Sequence, residues 1–310
     1  MRNLVLPIVV LMATVGFFVA AFQLFSRDYQ YVQLVKLGDQ LMEEELPYQA
    51  TRTYGSAIGL RPDKPLAYVK RAEALQKQGN LASALEDLSE ASRRGADALT
   101  VSLHQADIYY DRGNFDEAVA FYSEVLALDP NSPSVLYKLG LSCFRAGQED
   151  TAIDVLTQAI EAQGELGEAY YLRAAVFHAL GHDGEAEADL LKTLTLRPEA
   201  GEVRLALIEL YMDTGKTTRA LRMAREEIDR QPQAASSYLL LADVHRMRGR
   251  NDQAIEAVGL ALEQDPNLPG AYLRLGQLWL EEGISGDDRV ALEKAVAALE
   301  SVLQLENENG

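Results

Sequence analysis

Between Leu99 and Ser132 apolar side chains return every three or four residues in two separate runs. Leu103, Ala106, Ile108 and Tyr109 make the first, and Ala118, Phe121, Tyr122, Val125 and Leu126 make the second. That spacing puts one apolar stripe on each of two helices. Gly113-Asn114 divides the runs and Asp129-Pro130 closes the second. Glycine accepts the positive φ that ends a helix, and proline cannot continue one. A lone hairpin of two amphipathic helices leaves its stripes half covered, so it needs neighbours of its own kind.

Those neighbours recur every 34 residues. From Gly113, glycine returns at Gly79, Gly147, Gly181, Gly215, Gly249 and Gly283. The Ala118 slot is filled by Ala50, Ala84, Ala152, Ala186, Ala220 and Ala254, and the Ala106 slot by small residues except Ile208. Pro130 is matched by Pro62, Pro198, Pro232 and Pro266. In period, small residues, inter-helix glycine and closing proline, residues 31 to about 305 resemble the tetratricopeptide repeat (TPR). The resemblance implies an all-α fold, a right-handed α-solenoid of about eight helix-turn-helix repeats. The intervals are 31–64, 65–98, 99–132, 133–166, 167–200, 201–234, 235–268 and 269–305. It also implies a scaffold for protein or peptide ligands without naming one.

Two intervals depart from the pattern. In the first, Glu45 stands in the glycine slot and Pro47 follows, which predicts an irregular turn. In the last, the alanine slot is met seven residues late, at Ala295. Seven residues are about two helical turns, so the second helix is expected to lengthen at its N-terminal end, capped by Asp287 or Asp288. Residues 306–310 read as a polar tail. The final helix is expected either to close the stack or to offer its apolar edge to a partner.

The N-terminal segment lies outside the repeat. Leu4 to Phe25 is a run of 22 residues without a charge, flanked by a short tail at 1–3 and a linker at 26–30. At about 1.5 Å per residue the run covers a bilayer core, which predicts one transmembrane helix preceding the repeats. A cleaved signal peptide, with Val19-Ala20-Ala21 at its end, is the competing reading; apolar residues continuing to Phe25 favour an uncleaved anchor. The favoured topology keeps the N-terminus inside and the repeats outside, which in a bacterium means the inner membrane and the periplasm. No dense basic cluster follows the anchor to fix this, and repeats in the cytoplasm are the alternative.

A net charge of −18 argues against nucleic-acid binding, whose phosphates need a basic surface. The one cysteine, Cys143, falls in a core slot and reads as a buried thiol. No nucleophile elbow, zinc-protease, phosphate-loop or paired-cysteine motif occurs, so the chain is expected to be no enzyme and to need no cofactor or metal. His178 and His182 are four residues apart, but Gly181 between them predicts different elements and no third ligand is evident. His245 falls in the slot of Tyr109 and reads as a buried, hydrogen-bonded histidine.

Binding is the remaining class. In the resembled fold, first helices line the groove at positions 2, 5, 6, 9, 12 and 13, counting Leu99 as the first. Position 5 is apolar throughout, from Val35 to Leu273. The chaperone-type carboxylate clamp needs asparagine at position 9, and none stands there. Lys70, Lys77, His104, Lys138 and Arg145 fall in repeats two to four, and Glu168, Glu202, Glu209 and Asp213 in repeats five and six, predicting a basic and an acidic end. Tyr110, Tyr137, Phe144 and Tyr171, with Lys138 and Arg145, are the expected partner site: an aromatic stripe beside a basic one, for an apolar and acidic segment. The expected function is a membrane-tethered scaffold that aids assembly of an envelope complex. The alternative is a regulatory subunit that positions a separate enzyme.

Overall fold

The structure is a computed structural model, and it describes residues 25–308. Among them every regular element is an α-helix. The expected anchor, Leu4 to Phe25, lies outside the described residues except for Phe25. No described helix is long and apolar enough to cross a membrane.

Two compact units divide the chain, one ending at Gly164 and the other beginning at Glu165. The first contains α1 (25–43), α2 (Pro47–Leu60), α3 (Leu66–Lys77), α4 (Leu81–Arg93), α5 (Ala98–Asp111), α6 (Phe115–Leu128), α7 (Pro133–Arg145) and α8 (Glu149–Ala162). The second contains α9 (Gly167–Ala179), α10 (Asp183–Leu196), α11 (Gly201–Asp213), α12 (Thr217–Arg230), α13 (Ala235–Met247), α14 (Asn251–Gln264), α15 (Pro269–Gly286) and α16 (Arg289–Glu308). Each 34-residue interval thus holds one helix pair. Residues 26–30, expected as a linker, are helical and continuous with α1.

The repeated small residues are where helices meet. Ala50, Ala84, Ala118, Ala152, Ala186, Ala220 and Ala254 are all fully buried. Gly140 brings α7 against α8 so closely that a Cβ there would fall 2.6 Å from Leu156 Cγ. A methyl group at that point would overpack the crossing.

The inter-helix turns share one mechanism. Gly113 has φ of 76°, and the Asn114 N–H donates to the Tyr109 carbonyl at 2.9 Å. The same bond runs from Asn80 to Leu75 and from Gln148 to Cys143. It satisfies a carbonyl that the helix end would otherwise leave open. The irregular turn expected in the first repeat is not found. Glu45 takes the glycine conformation at φ 59°, and Leu46 N–H donates to Leu41 O at 2.8 Å. Backbone hydrogen bonding therefore overrides the side-chain penalty there.

The last repeat also departs from expectation. Its seven extra residues are shared by the two helices instead of lengthening only the second. α15 runs on through Gly283 to Gly286, and Gly283 is buried against Leu292. The left-handed turn passes to Asp287, at φ 50°. Asp288 caps α16, its Oδ1 accepting from Val290 N–H at 2.8 Å. The expected tail beyond 305 is helical to Glu308.

Candidate functional site

In the first unit the first-helix face carries a cavity of about 360 Å³. α5 contributes Asp107, Tyr110 and Asp111; α7 contributes Tyr137, Lys138 and Leu141; α6 adds Tyr122 and α3 adds Gln76. Helical spacing explains the grouping, because Asp107, Tyr110 and Asp111 stand three and four residues apart on one face. Tyr110 packs edge-on against Phe115, with ring centroids 5.4 Å apart. A neighbouring cavity of about 620 Å³ shares Gln76, Asp107 and Asp111 and adds Met42, Glu43, Glu73, Lys77 and His104.

Asp107 is the hub of the smaller cavity. It accepts a hydrogen bond from the Tyr122 hydroxyl and another from Lys138 Nζ at 2.7 Å. Burial raises the Tyr122 pKa and the Asp107 carboxylate raises it further, so the phenol stays protonated and donates. Asp111 is exposed and accepts from Gln76 Nε2 at 2.8 Å. Glu73 meets Lys70 Nζ at 3.2 Å and His104 Nε2 at 3.3 Å. Burial works to raise the Glu73 pKa, but His104 and Lys70 outweigh it and hold the carboxyl below its ordinary value.

These pairs belong to a repeating arrangement. An acid at position 9 of one repeat faces a base at position 6 of the next, 31 residues on. Asp39 and Lys70 are 3.8 Å apart, Glu73 and His104 3.3 Å, and Asp107 and Lys138 2.7 Å. In the second unit Arg274 holds Asp243 through Nε and Nη2, at 3.1 and 2.9 Å. Read from sequence alone, Lys70, His104 and Lys138 lie along the groove as unpaired bases. A search for opposite charges at a constant offset of 31 would have found all four.

The expected site residues do not all line one cavity. Tyr110, Tyr137 and Lys138 line the cavity of the first unit. Phe144, half-buried, and Arg145, exposed, lie outside its lining. Tyr171 belongs to the second unit and lines a cavity of about 240 Å³ there, with Ala174, Ala175, His178, Ala206, Glu209 and Asp213. The expected basic stripe is also altered, because Lys138 is committed to Asp107. Lys70 and His104 likewise face carboxylates, so the expected basic end of the groove is largely neutralised.

Three other candidates resolve differently. Cys143 is fully buried, and burial raises its thiol pKa. His178 lies in the last turn of α9 and His182 precedes α10; His178 Nδ1 lies 2.9 Å from Asp183 and Nε2 3.4 Å from Asp213. No group of three or more metal-ligating side chains stands together among the described residues. His245 is buried as expected, but its Nδ1 has no hydrogen-bond partner among the described residues, contrary to the bonded histidine predicted.

Comparison with known proteins follows the repeats. Family models described as TPR repeat or tetratricopeptide repeat match residues 106–147, 134–163 and 205–269. The human DnaJ homolog subfamily C member 3 is 25% identical over 207 residues, covering 62% of this chain and 41% of that one. The cellulose synthase 2 operon protein C of Komagataeibacter xylinus is 31% identical over 140 residues, covering 44% of this chain and 11% of that one. The chain therefore spans well under half the length of these curated relatives. Among solved structures, a tetratricopeptide repeat protein of Parabacteroides merdae aligns with TM-score 0.59 at 17% identity, over 86% of this chain and 99% of that one. The C-terminal part of a TPR repeat-containing protein of Cytophaga hutchinsonii aligns with TM-score 0.65 at 15% identity, over 78% and 99%. YrrB, described as a TPR protein with an unusual peptide-binding site, aligns with TM-score 0.50 at 15% identity, over 56% and 89%.

Proposed function

We propose that this chain, a tetratricopeptide-repeat protein, is a membrane-tethered scaffold that binds a segment of a protein partner on its first-helix face and aids assembly of an envelope complex. The observation that carries the binding part is the cavity of the first unit, where half-buried Tyr110 and Tyr137 stand beside carboxylates. Rigid amphipathic rings supply large contact area at small entropic cost. The peptide-binding site named for YrrB is consistent with this use of the fold. Tethering rests on the charge-free run from Leu4 to Phe25. The envelope role rests on that tether and on the favoured outward topology.

The test is affinity purification from detergent-solubilised membranes, with wild type, Tyr110→Ala and a chain lacking residues 1–25. The wild type is expected in the membrane fraction with a partner that Tyr110→Ala loses, while the truncated chain moves to the soluble fraction. A stoichiometric enzyme in the eluate would favour the regulatory-subunit reading. A truncated chain still in the membrane would refute the tether, and unchanged partner recovery with Tyr110→Ala would refute the site.

A further inference from the structure

We infer that the cavity of the first unit receives a cationic side chain, a lysine or arginine of the partner segment. This rests on the groove reading above and reverses the charge that the sequence leads one to expect of the partner.

Three tyrosines, Tyr110, Tyr122 and Tyr137, line the cavity. Ring faces attract a cation within about 6 Å of the centroid. Lys138 Nζ already lies 6.0 Å from the Tyr122 ring, so the site tolerates a cation over an aromatic face. Its charge is not available to an incoming acid, because Asp107 holds it at 2.7 Å. Asp111 is differently placed. It lies on the same cavity, is exposed, accepts from the neutral Gln76 amide, and pairs with no described lysine or arginine.

Charge over the adjoining cavity points the same way. Around the two together stand four carboxylates, Glu43, Glu73, Asp107 and Asp111, against two lysines, Lys77 and Lys138; Glu73 is met by His104 and Lys70 and Asp107 by Lys138, which leaves Glu43 and Asp111. An acidic segment would meet uncompensated carboxylate at Asp111. A guanidinium or ammonium would gain a charge-assisted hydrogen bond there and a ring face behind it. The cavity, about 360 Å³, suits one extended side chain. The net charge of −18 adds a long-range pull on a basic segment.

The probe is a random dodecapeptide library displayed on phage, panned against the full chain in detergent. Wild type, Asp111→Asn, Asp111→Lys and Tyr137→Ala are panned in parallel, each checked for an unchanged helical melt. Wild type is expected to select peptides with lysine or arginine beside an apolar residue. A selected peptide, once synthesised, should bind Asp111→Asn about tenfold more weakly, the usual loss for a charged hydrogen bond. Its affinity should fall with added salt, and Asp111→Lys should no longer select basic residues. Selection of acidic or uncharged peptides that depend on Tyr137 but not on Asp111 would overturn the cation site and leave the groove reading standing. Failure of the wild type to select any peptide would overturn both.

Discussion

His245 occupies a slot that holds Tyr109, Phe177, Tyr211 and Trp279 in other repeats. It keeps the ring but adds two nitrogens, and Nδ1 is buried without a partner. Burial depresses its pKa, and Arg225, Arg248 and Arg250 add to the effect against Glu256. A histidine whose folded pKa lies below its unfolded value binds fewer protons in the folded state. Stability is then full above about pH 6.5 and falls as pH drops from there toward the folded pKa. The melting temperature is therefore expected to fall between pH 7.5 and pH 5.5, before most carboxylates titrate. In His245→Phe that fall should be smaller. Equal slopes for the two proteins would mean that His245 finds a partner in solution. Lys138 teaches a different lesson at this scale. Its position in the groove was legible from the repeat, but its pairing depended on Asp107, 31 residues away, and a single position in a pattern carries no record of its partner.

Glu45 holds a helix-ending turn in the left-handed region without being glycine. That conformation costs a side-chain-bearing residue about 1–2 kcal/mol, partly offset by the smaller unfolded-state entropy it brings. Glu45→Gly should therefore stabilise the first repeat by about 1 kcal/mol, read as a shift in urea midpoint at constant slope. No shift would show that the turn carries no strain. The turn was misread from sequence because the glycine slot was taken as the cause of the geometry. The Leu46-to-Leu41 hydrogen bond imposes it, and glycine is only its least costly occupant. The helix pairs themselves were legible, because apolar spacing and fully buried alanines report the packing directly. The last repeat was legible only as a delay of seven residues. Inserted residues can extend either helix, and the outcome turned on Gly283 of α15 packing against Leu292 of α16, a tertiary contact with no local mark. The site was half legible for the same reason. Tyr110 and Tyr137 fall on one face by spacing, while Tyr122 reaches that face from the second helix of its pair.

Within each unit, helices pack chiefly on their neighbours in sequence. Stability in such a chain is a sum of local and nearest-neighbour terms, so it is not expected to unfold as one cooperative body. Scanning calorimetry should give a calorimetric enthalpy above the van't Hoff value, and a ratio of one would contradict this. Helix pairs of one backbone design look interchangeable, but the acid-to-base pairing across successive repeats makes them unequal under recombination. A deletion that removed residues 99–132 would set Glu73 opposite Lys138, and acid would again meet base. A deletion of residues 133–166 would set Asp107 opposite Leu172, leaving its carboxylate the Tyr122 hydroxyl but removing the Lys138 ammonium that balances its charge. The ladder thus acts as a grammar for the order of the repeats, permitting one excision and penalising the next, although both leave the 34-residue frame intact.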